Sequence, residues 1–211
     1  ISINNLNLLK KEVDLLNKNV NIIAVSKTFS IEFIKPLISY GHNHFGENKV
    51  QEAVEKWTEI KKDFKNIKLH LIGKLQTNKV KFAVKIFDYI HSVDSKKLAK
   101  KISDEQIKIN KKIKIFIQVN IGQEDQKSGI NANELNSLIS YCSEINLDVV
   151  GLMCIPPMNE DSGIYFEKMK KLNKENNFYE LSMGMSSDYL NAAINNATYL
   201  RIGSSIFGER Y

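Results

Sequence analysis

Asn21-Ile22-Ile23-Ala24-Val25-Ser26-Lys27-Thr28 begins as an apolar, partly β-branched run and breaks off at a lysine. Its length and composition suit a buried strand better than a helix. Lys27 stands at the exit with polar residues on both sides. An ammonium at the mouth of a buried strand is costly unless it has a task or a partner. Two readings follow. Lys27 either caps the strand and reaches solvent, as most lysines do, or is partly buried, with the lowered pKa that makes a lysine nucleophilic and able to form Schiff bases.

Working outward, Leu6, Leu9, Val13 and Leu16 recur at helical spacing and predict an amphipathic helix over 3–18. Beyond Lys27, Ser30 as N-cap and Glu32 in the first turn predict a helix that stops at Gly41, with Pro36 counting against it. Residues 42–48 read as a short strand leaving through a polar turn, followed by a helix over 49–61 with Val50, Val54 and Trp57 on one face. A third strand over 68–73 exits into a polar loop that opens a helix reaching Lys85, and a fourth strand covers 87–93. Asp94 is the expected N-cap of a lysine-rich helix to Asn110. Residues 113–120 form the clearest strand, and a loop over 122–129 leads to a helix over 131–145, with Leu135, Leu138, Ile139 and Cys142 on its apolar face. Strands over 149–154, 178–184 and 198–203 alternate with helices over 162–174 and 187–195, and 204–211 closes the chain. Regular alternation argues for parallel β/α units. Eight strands favour a closed (β/α)8 TIM barrel over an open sheet, as a single domain over 1–211.

Composition narrows the function classes. With 43 % hydrophobic and 26 % charged residues, the 211-residue chain falls among ordinary soluble globular proteins. Its net charge of +6 comes from 30 Lys+Arg against 24 Asp+Glu, scattered rather than gathered into arginine-rich or aromatic-basic blocks. That pattern speaks against nucleic-acid binding. No run reaches membrane-spanning length, and the N-terminal stretch lacks a signal-peptide core. Cys142 and Cys154 have no metal-ligand spacing and are too few for a disulfide framework, which fits a reducing cytoplasm. Cys142 reads as core. Cys154 lies at a strand exit, with no histidine placed locally to activate a thiol. His42, His44 and nearby Glu47 invite a metal reading, but no third ligand stands in obvious register.

In such a barrel the site lies at the C-terminal ends of the strands, and phosphate is usually held after strands seven and eight. Lys27, Asn48, Ser186, Gly203 and Ser204 all fall at exits. Gly184-Met185-Ser186 is expected to open a helix and Gly203-Ser204-Ser205 a short turn, offering N–H groups and hydroxyls to an anion. A phosphate site and a reactive lysine at one barrel mouth suggest pyridoxal 5'-phosphate (PLP).

Ala24-Val25-Ser26-Lys27-Thr28, Phe45-Gly46-Glu47-Asn48, His70-Leu71-Ile72-Gly73-Lys74-Leu75-Gln76-Thr77-Asn78-Lys79, Gly151-Leu152-Met153-Cys154-Ile155-Pro156-Pro157, Leu181-Ser182-Met183-Gly184-Met185-Ser186 and Leu200-Arg201-Ile202-Gly203-Ser204-Ser205-Ile206-Phe207-Gly208-Glu209-Arg210 together resemble one family. It is the pyridoxal phosphate homeostasis proteins, whose fold is similar to the N-terminal barrel of alanine racemase. The resemblance runs in order over nearly the whole chain. It implies Lys27 as the Schiff-base lysine, with Ser186, Gly203 and Ser204 at the phosphate. Arg201 would face the pyridine nitrogen, with Asn48 and Met183 near the ring. Ser204 stands where the family often has threonine, which keeps the hydroxyl. A short N-terminal helix and Cys154 before Ile155-Pro156-Pro157 depart from the pattern.

The implied protein is a cytoplasmic monomer that binds PLP without substantial catalysis and helps to balance PLP and amino-acid pools. Its implied partners are PLP, free amino acids and PLP-dependent apo-enzymes, with no nucleic acid or membrane. An arginine at the ring nitrogen cannot accept a proton, so the ring would be a poor electron sink. Alternatively Arg201 pairs with an acid such as Glu209. A competing reading is a PLP-dependent amino-acid racemase. It needs an acid/base on each face of the substrate carbon, and alanine racemases draw the second from a further domain that is not found in this stretch. A barrel for another phosphorylated metabolite is a third reading. Lys74 and Lys127 are either solvated loop lysines or a second aldehyde site.

Overall fold

The computed structural model describes residues 1–208. Eight parallel strands pair in chain order: β1 (Asn21–Val25), β2 (His44–Glu47), β3 (Lys68–Leu71), β4 (Tyr89–Val93), β5 (Lys114–Gln118), β6 (Asp148–Met153), β7 (Glu180–Ser182) and β8 (Tyr199–Ile202). β8 closes onto β1 with Ile23 opposite Arg201, so the barrel expected from the strand-helix rhythm is the one observed. Among the described residues ten α-helices surround it: α1 (Ser2–Asp14), α2 (Ile31–Ser39), α3 (Val50–Trp57), α4 (Ile60–Asp63), α5 (Val80–Ile86), α6 (Lys96–Lys108), α7 (Leu135–Glu144), α8 (Ser162–Glu175), α9 (Tyr189–Ile194) and α10 (Ser204–Phe207).

Strand side chains alternate between faces, which splits the core in two. Ile22, Ala24, Phe45, Leu69, Leu71, Leu200 and Ile202 join the helices' apolar faces in one large cluster. Ile23, Tyr89, Phe116, Met153 and Tyr199 form a second, smaller cluster. Tyr199 on β8 touches the rings of His70 on β3 and Phe116 on β5, contacts that are possible only across the barrel interior. The interior is thus a packed core and not a pore.

Several boundaries differ from the sequence reading. α1 ends at Asp14, and Leu16, expected on its apolar face, is 46 % exposed. The helix expected over 49–61 divides into α3 and α4, where Thr58 Oγ1 donates to the Val54 carbonyl at 2.6 Å. Ser95, not Asp94, caps α6, accepting from Leu98 N at 3.3 Å, while Asp94 accepts from Gly129 N. Gly184-Met185-Ser186 does not open a helix. The segment turns, Met185 N donates to Asp188 Oδ1 at 2.7 Å, and α9 starts only at Tyr189. Glu209 and Arg210 lie outside the described residues, and with them the suggested Arg201–Glu209 pair. Among the described residues no helix is long and apolar enough to cross a membrane.

Candidate functional site

At the C-terminal ends of the strands lies a cavity of about 430 Å³. Val25 lines it from β1 and Lys27 and Phe29 from the turn after it, Asn48 and Ile72 follow β2 and β3, and Ile155 follows β6. Met185, Ser186 and Ser187 come from the turn after β7, and Arg201, Gly203, Ser204 and Gly208 from β8 and beyond. Six of the seven expected residues therefore meet: Lys27, Asn48, Ser186, Arg201, Gly203 and Ser204. Met183 does not. It is fully buried in the outer core, because Ser182 faces the barrel interior and strand alternation sends its neighbour outward. Met185, two residues on, lines the cavity instead.

Lys27 is half-buried, and the backbone on each side of it is clamped. Ser26 N donates to the Gly46 carbonyl at 2.9 Å and Ser26 Oγ to Glu47 Oε1 at 2.7 Å. Thr28 N donates to Glu52 Oε1 at 2.5 Å. Lys56 Nζ joins the two carboxylates, lying 3.0 Å from Glu47 Oε1, 2.9 Å from Glu52 Oε1 and 2.9 Å from the Ser26 carbonyl. Trp57 Nε1 adds a further bond to Glu47 Oε1 at 3.0 Å. Burial raises the Glu47 pKa, partly offset by Trp57 and Lys56. The clamp has a purpose in geometry: Thr28 sits at φ 68°. For a β-branched residue that left-handed angle costs about 1–3 kcal/mol and persists only where its surroundings impose it. From the sequence Glu47 stands out only beside His42 and His44 and within the Phe45–Asn48 stretch, and Glu52 and Lys56 do not stand out as parts of a site. The only local signal was the i,i+4 spacing of Glu52 and Lys56 on α3.

Arg201 is 4 % exposed. Its Nη1 donates to Ser182 Oγ at 2.7 Å and its Nη2 to the Cys154 carbonyl at 2.8 Å. Burial lowers its pKa from the usual guanidinium value, but an arginine remains a cation and a donor only. Both partners are neutral, so the charge is held without being paired among the described residues. Cys154 acts here through its backbone, and burial pushes its thiol up to about 12, which leaves it unreactive.

The turns after β7 and β8 are tied together where Ser205 N donates to Ser186 Oγ at 3.4 Å. Gly184 is required there, since at φ 94° an added Cβ would come within 2.5 Å of the Ala192 Cβ. Gly203 is different. A Cβ on it would find its nearest atom 3.5 Å away, in ordinary contact, so no protein neighbour forces glycine at this wall of the cavity.

A smaller hollow of about 280 Å³ adjoins, sharing Asn48, Ile72 and Ile155, and includes Lys74 and Lys127. Lys127 is tied to Glu124 at 2.6 Å. The histidines weighed as metal ligands serve other bonds: His42 Nε2 donates to the His44 carbonyl at 2.9 Å, and His44 Nδ1 lies 2.9 Å from His70 Nε2.

The barrel as a whole matches a known class of domain. Residues 3–211 fit the family model of the alanine racemase N-terminal domain. Within that class the relatives are more specific. The chain is 40 % identical over 199 residues, 90 % of it and 86 % of the relative, to a pyridoxal phosphate homeostasis protein of Aquifex aeolicus. It is 32 % identical over 203 residues, 92 % of it and 87 % of the relative, to the protein of that name in Escherichia coli K12. PipY of Synechococcus elongatus PCC7942, solved with PLP bound, superposes with a TM-score of 0.90 at 33 % identity, over 99 % of this chain and 100 % of that one. The chain belongs to the pyridoxal phosphate homeostasis protein family.

Proposed function

We propose that the chain binds PLP in the 430 Å³ cavity, with Lys27 as its covalent attachment point, and serves PLP homeostasis without substantial catalysis. The observation that carries this reading is that Lys27, Arg201, Ser186 and Ser204 line one cavity. That chemistry fits the group: a primary amine for an aldehyde, a guanidinium held only by neutral partners among the described residues for a ring acceptor, and hydroxyls beside a glycine for a phosphate. When bound, PLP supplies an aldehyde that condenses with amines and a ring that can take up electrons. The protein's share is to bind and orient. The clamp on Ser26 and Thr28 fixes the direction of Lys27. Arg201 offers N–H groups and has no site to receive a proton, which disfavours the electron-withdrawing ring state that catalysis needs. Ser186 and Ser204, with Gly203 between strand and α10, would hold the phosphate, and Asn48 closes the side toward β3. PLP is the ligand, with free amino acids and PLP-dependent apo-enzymes as its further partners and a monomer as its working form.

Borohydride reduction of the PLP-loaded protein followed by peptide mass spectrometry tests the assignment. The adduct is expected on Lys27. An adduct mainly on Lys74, Lys127 or another lysine would overturn it.

A further inference from the structure

Beneath the cavity a line of polar side chains crosses the barrel interior. Arg201 Nη1 lies 2.7 Å from Ser182 Oγ, and Ser182 Oγ 2.8 Å from His91 Nδ1. His91 Nε2 lies 2.9 Å from His70 Nδ1, and His70 Nε2 2.9 Å from His44 Nδ1. The line starts on β8, passes through β7, β4 and β3, and ends at the first residue of β2 on the barrel floor. We propose that Ser182, His91, His70 and His44 are positioning residues, a hydrogen-bonded relay of fixed polarity that holds Arg201 toward the cavity and couples it to the floor.

The polarity follows from donor inventory. Arginine only donates, so Ser182 Oγ accepts from Arg201. Ser182 and His91 are both fully buried, and the one acceptor beside the Ser182 hydroxyl proton among the described residues is His91 Nδ1. A neutral imidazole carries one proton. With Nδ1 accepting, His91 carries it on Nε2 and donates to His70 Nδ1. The same step repeats from His70 Nε2 to His44 Nδ1. All three rings are thereby Nε2–H tautomers. The reverse orientation would leave the Ser182 proton without an acceptor among the described residues in a fully buried site, an expensive arrangement. The rings are also kept neutral. Burial drives His70 and His91 well below the usual histidine pKa and brings His44 down to about 4. Tyr89 stacks on His70 and Phe116 on His91, each at 4.3 Å, shielding the line from water.

The relay has a consequence at the cavity. Because its members are neutral, the relay orients Arg201 without itself cancelling the arginine's charge. The value of that orientation to a ligand rests on the proposed PLP site, whereas the tautomers do not. Two-bond ¹H–¹⁵N spectra of histidine-labelled protein without ligand, at neutral pH, test the tautomers. The expected result is the Nε2–H form at His44, His70 and His91, with the His91 Nδ1 signal displaced in Ser182→Ala. An Nδ1–H form or a tautomer mixture at His70 or His91 would overturn the relay, as would a Ser182→Ala spectrum identical to native. PLP titration followed by absorbance tests the positioning role. Ser182→Ala is expected to weaken PLP binding about tenfold, and Ser182→Thr, which keeps the hydroxyl, to restore it. Equal affinity in native protein and Ser182→Ala would remove the positioning role. Absence of PLP binding to native protein would instead defeat the proposed function and leave the tautomer result standing.

Discussion

Acid should unfold this protein early. The chain has four histidines, and in the fold burial depresses the pKa of every one: His42 and His44 to about 4, His70 and His91 well below the ordinary value. Unfolded, each returns to about 6.5. The unfolded chain therefore takes up protons that the folded state refuses, so stability is intact above pH 6.5 and is lost as pH falls from there toward 4. Between pH 7 and 5, one histidine that titrates only when unfolded costs about 1.9 kcal/mol, and four cost at most about 8 kcal/mol. Glu47 opposes this weakly, since its raised pKa lets the folded state take a proton first. A whole domain is stable by about 5–15 kcal/mol, so the histidines alone consume half or more of it. Urea unfolding followed by circular dichroism at pH values from 7.5 to 5.0 measures the slope. Between pH 6 and 5 unfolding should take up about three to four protons, equivalent to about 4–5 kcal/mol per pH unit. His44→Gln should lower that by about one proton. An uptake below one proton across the window would refute the reasoning.

Lys56→Met should destabilise by about 3–5 kcal/mol, because it strands the fully buried Glu47 carboxylate. Lys62→Met, which removes an exposed pair with Glu59, should change urea stability by less than about 1 kcal/mol. Ser186→Ala with Ser204→Ala should narrow the preference for PLP over phosphate-free pyridoxal, each lost bond to a charged group being worth about 1.5–3 kcal/mol; equal affinity of native protein for both ligands would rule out the phosphate cup. PLP at 100 times its Kd adds about 2.7 kcal/mol, so it should move the acid-unfolding midpoint down by about half a pH unit. Amino acids added in deuterated water should change the PLP-loaded protein's absorption without sustained α-carbon exchange or racemisation. Racemisation at about 1 per second or faster, lost in Lys27→Ala, would favour the racemase instead.

The sequence carried the barrel because its strands are short apolar runs at regular spacing, and each is legible alone. It also carried most of the cavity, because Lys27, Ser186, Gly203 and Ser204 stand at strand exits, where position along the chain predicts position in space. It failed where orientation mattered. Met183 does not line the cavity, because strand alternation turns it outward beside the inward-facing Ser182. Asp94 lost the cap of α6 to Ser95, one residue on. The relay was not legible at all. His44, His70 and His91 sit on three strands, each as an isolated inward polar residue, and only the closed barrel brings them together. His42 and His44, two residues apart, suggested a metal, whereas the partner that matters to His44 is 26 residues away.

Lys27 and Arg201, which both line the cavity, are supported in opposite ways. Behind Lys27 stands a charged cluster, Glu47, Glu52 and Lys56, which fixes the backbone through carboxylates placed on the far side of Ser26 and Thr28. Behind Arg201 stands a serine, a backbone carbonyl and a file of neutral imidazoles. A carboxylate at Ser182 would grip the guanidinium more strongly, since charge-assisted bonds are about twice as strong as neutral ones. It would also cancel the charge that Arg201 brings to the cavity wall. Neutral acceptors give a weaker hold per bond, and the relay compensates by extending it across the barrel, each ring satisfied by the next. The depressed histidine pKa values are the cost of this arrangement. A charged imidazole beside Arg201 would repel it, so the rings must stay neutral, and the acid sensitivity of the fold follows from the same requirement that keeps the arginine available to an anionic ligand.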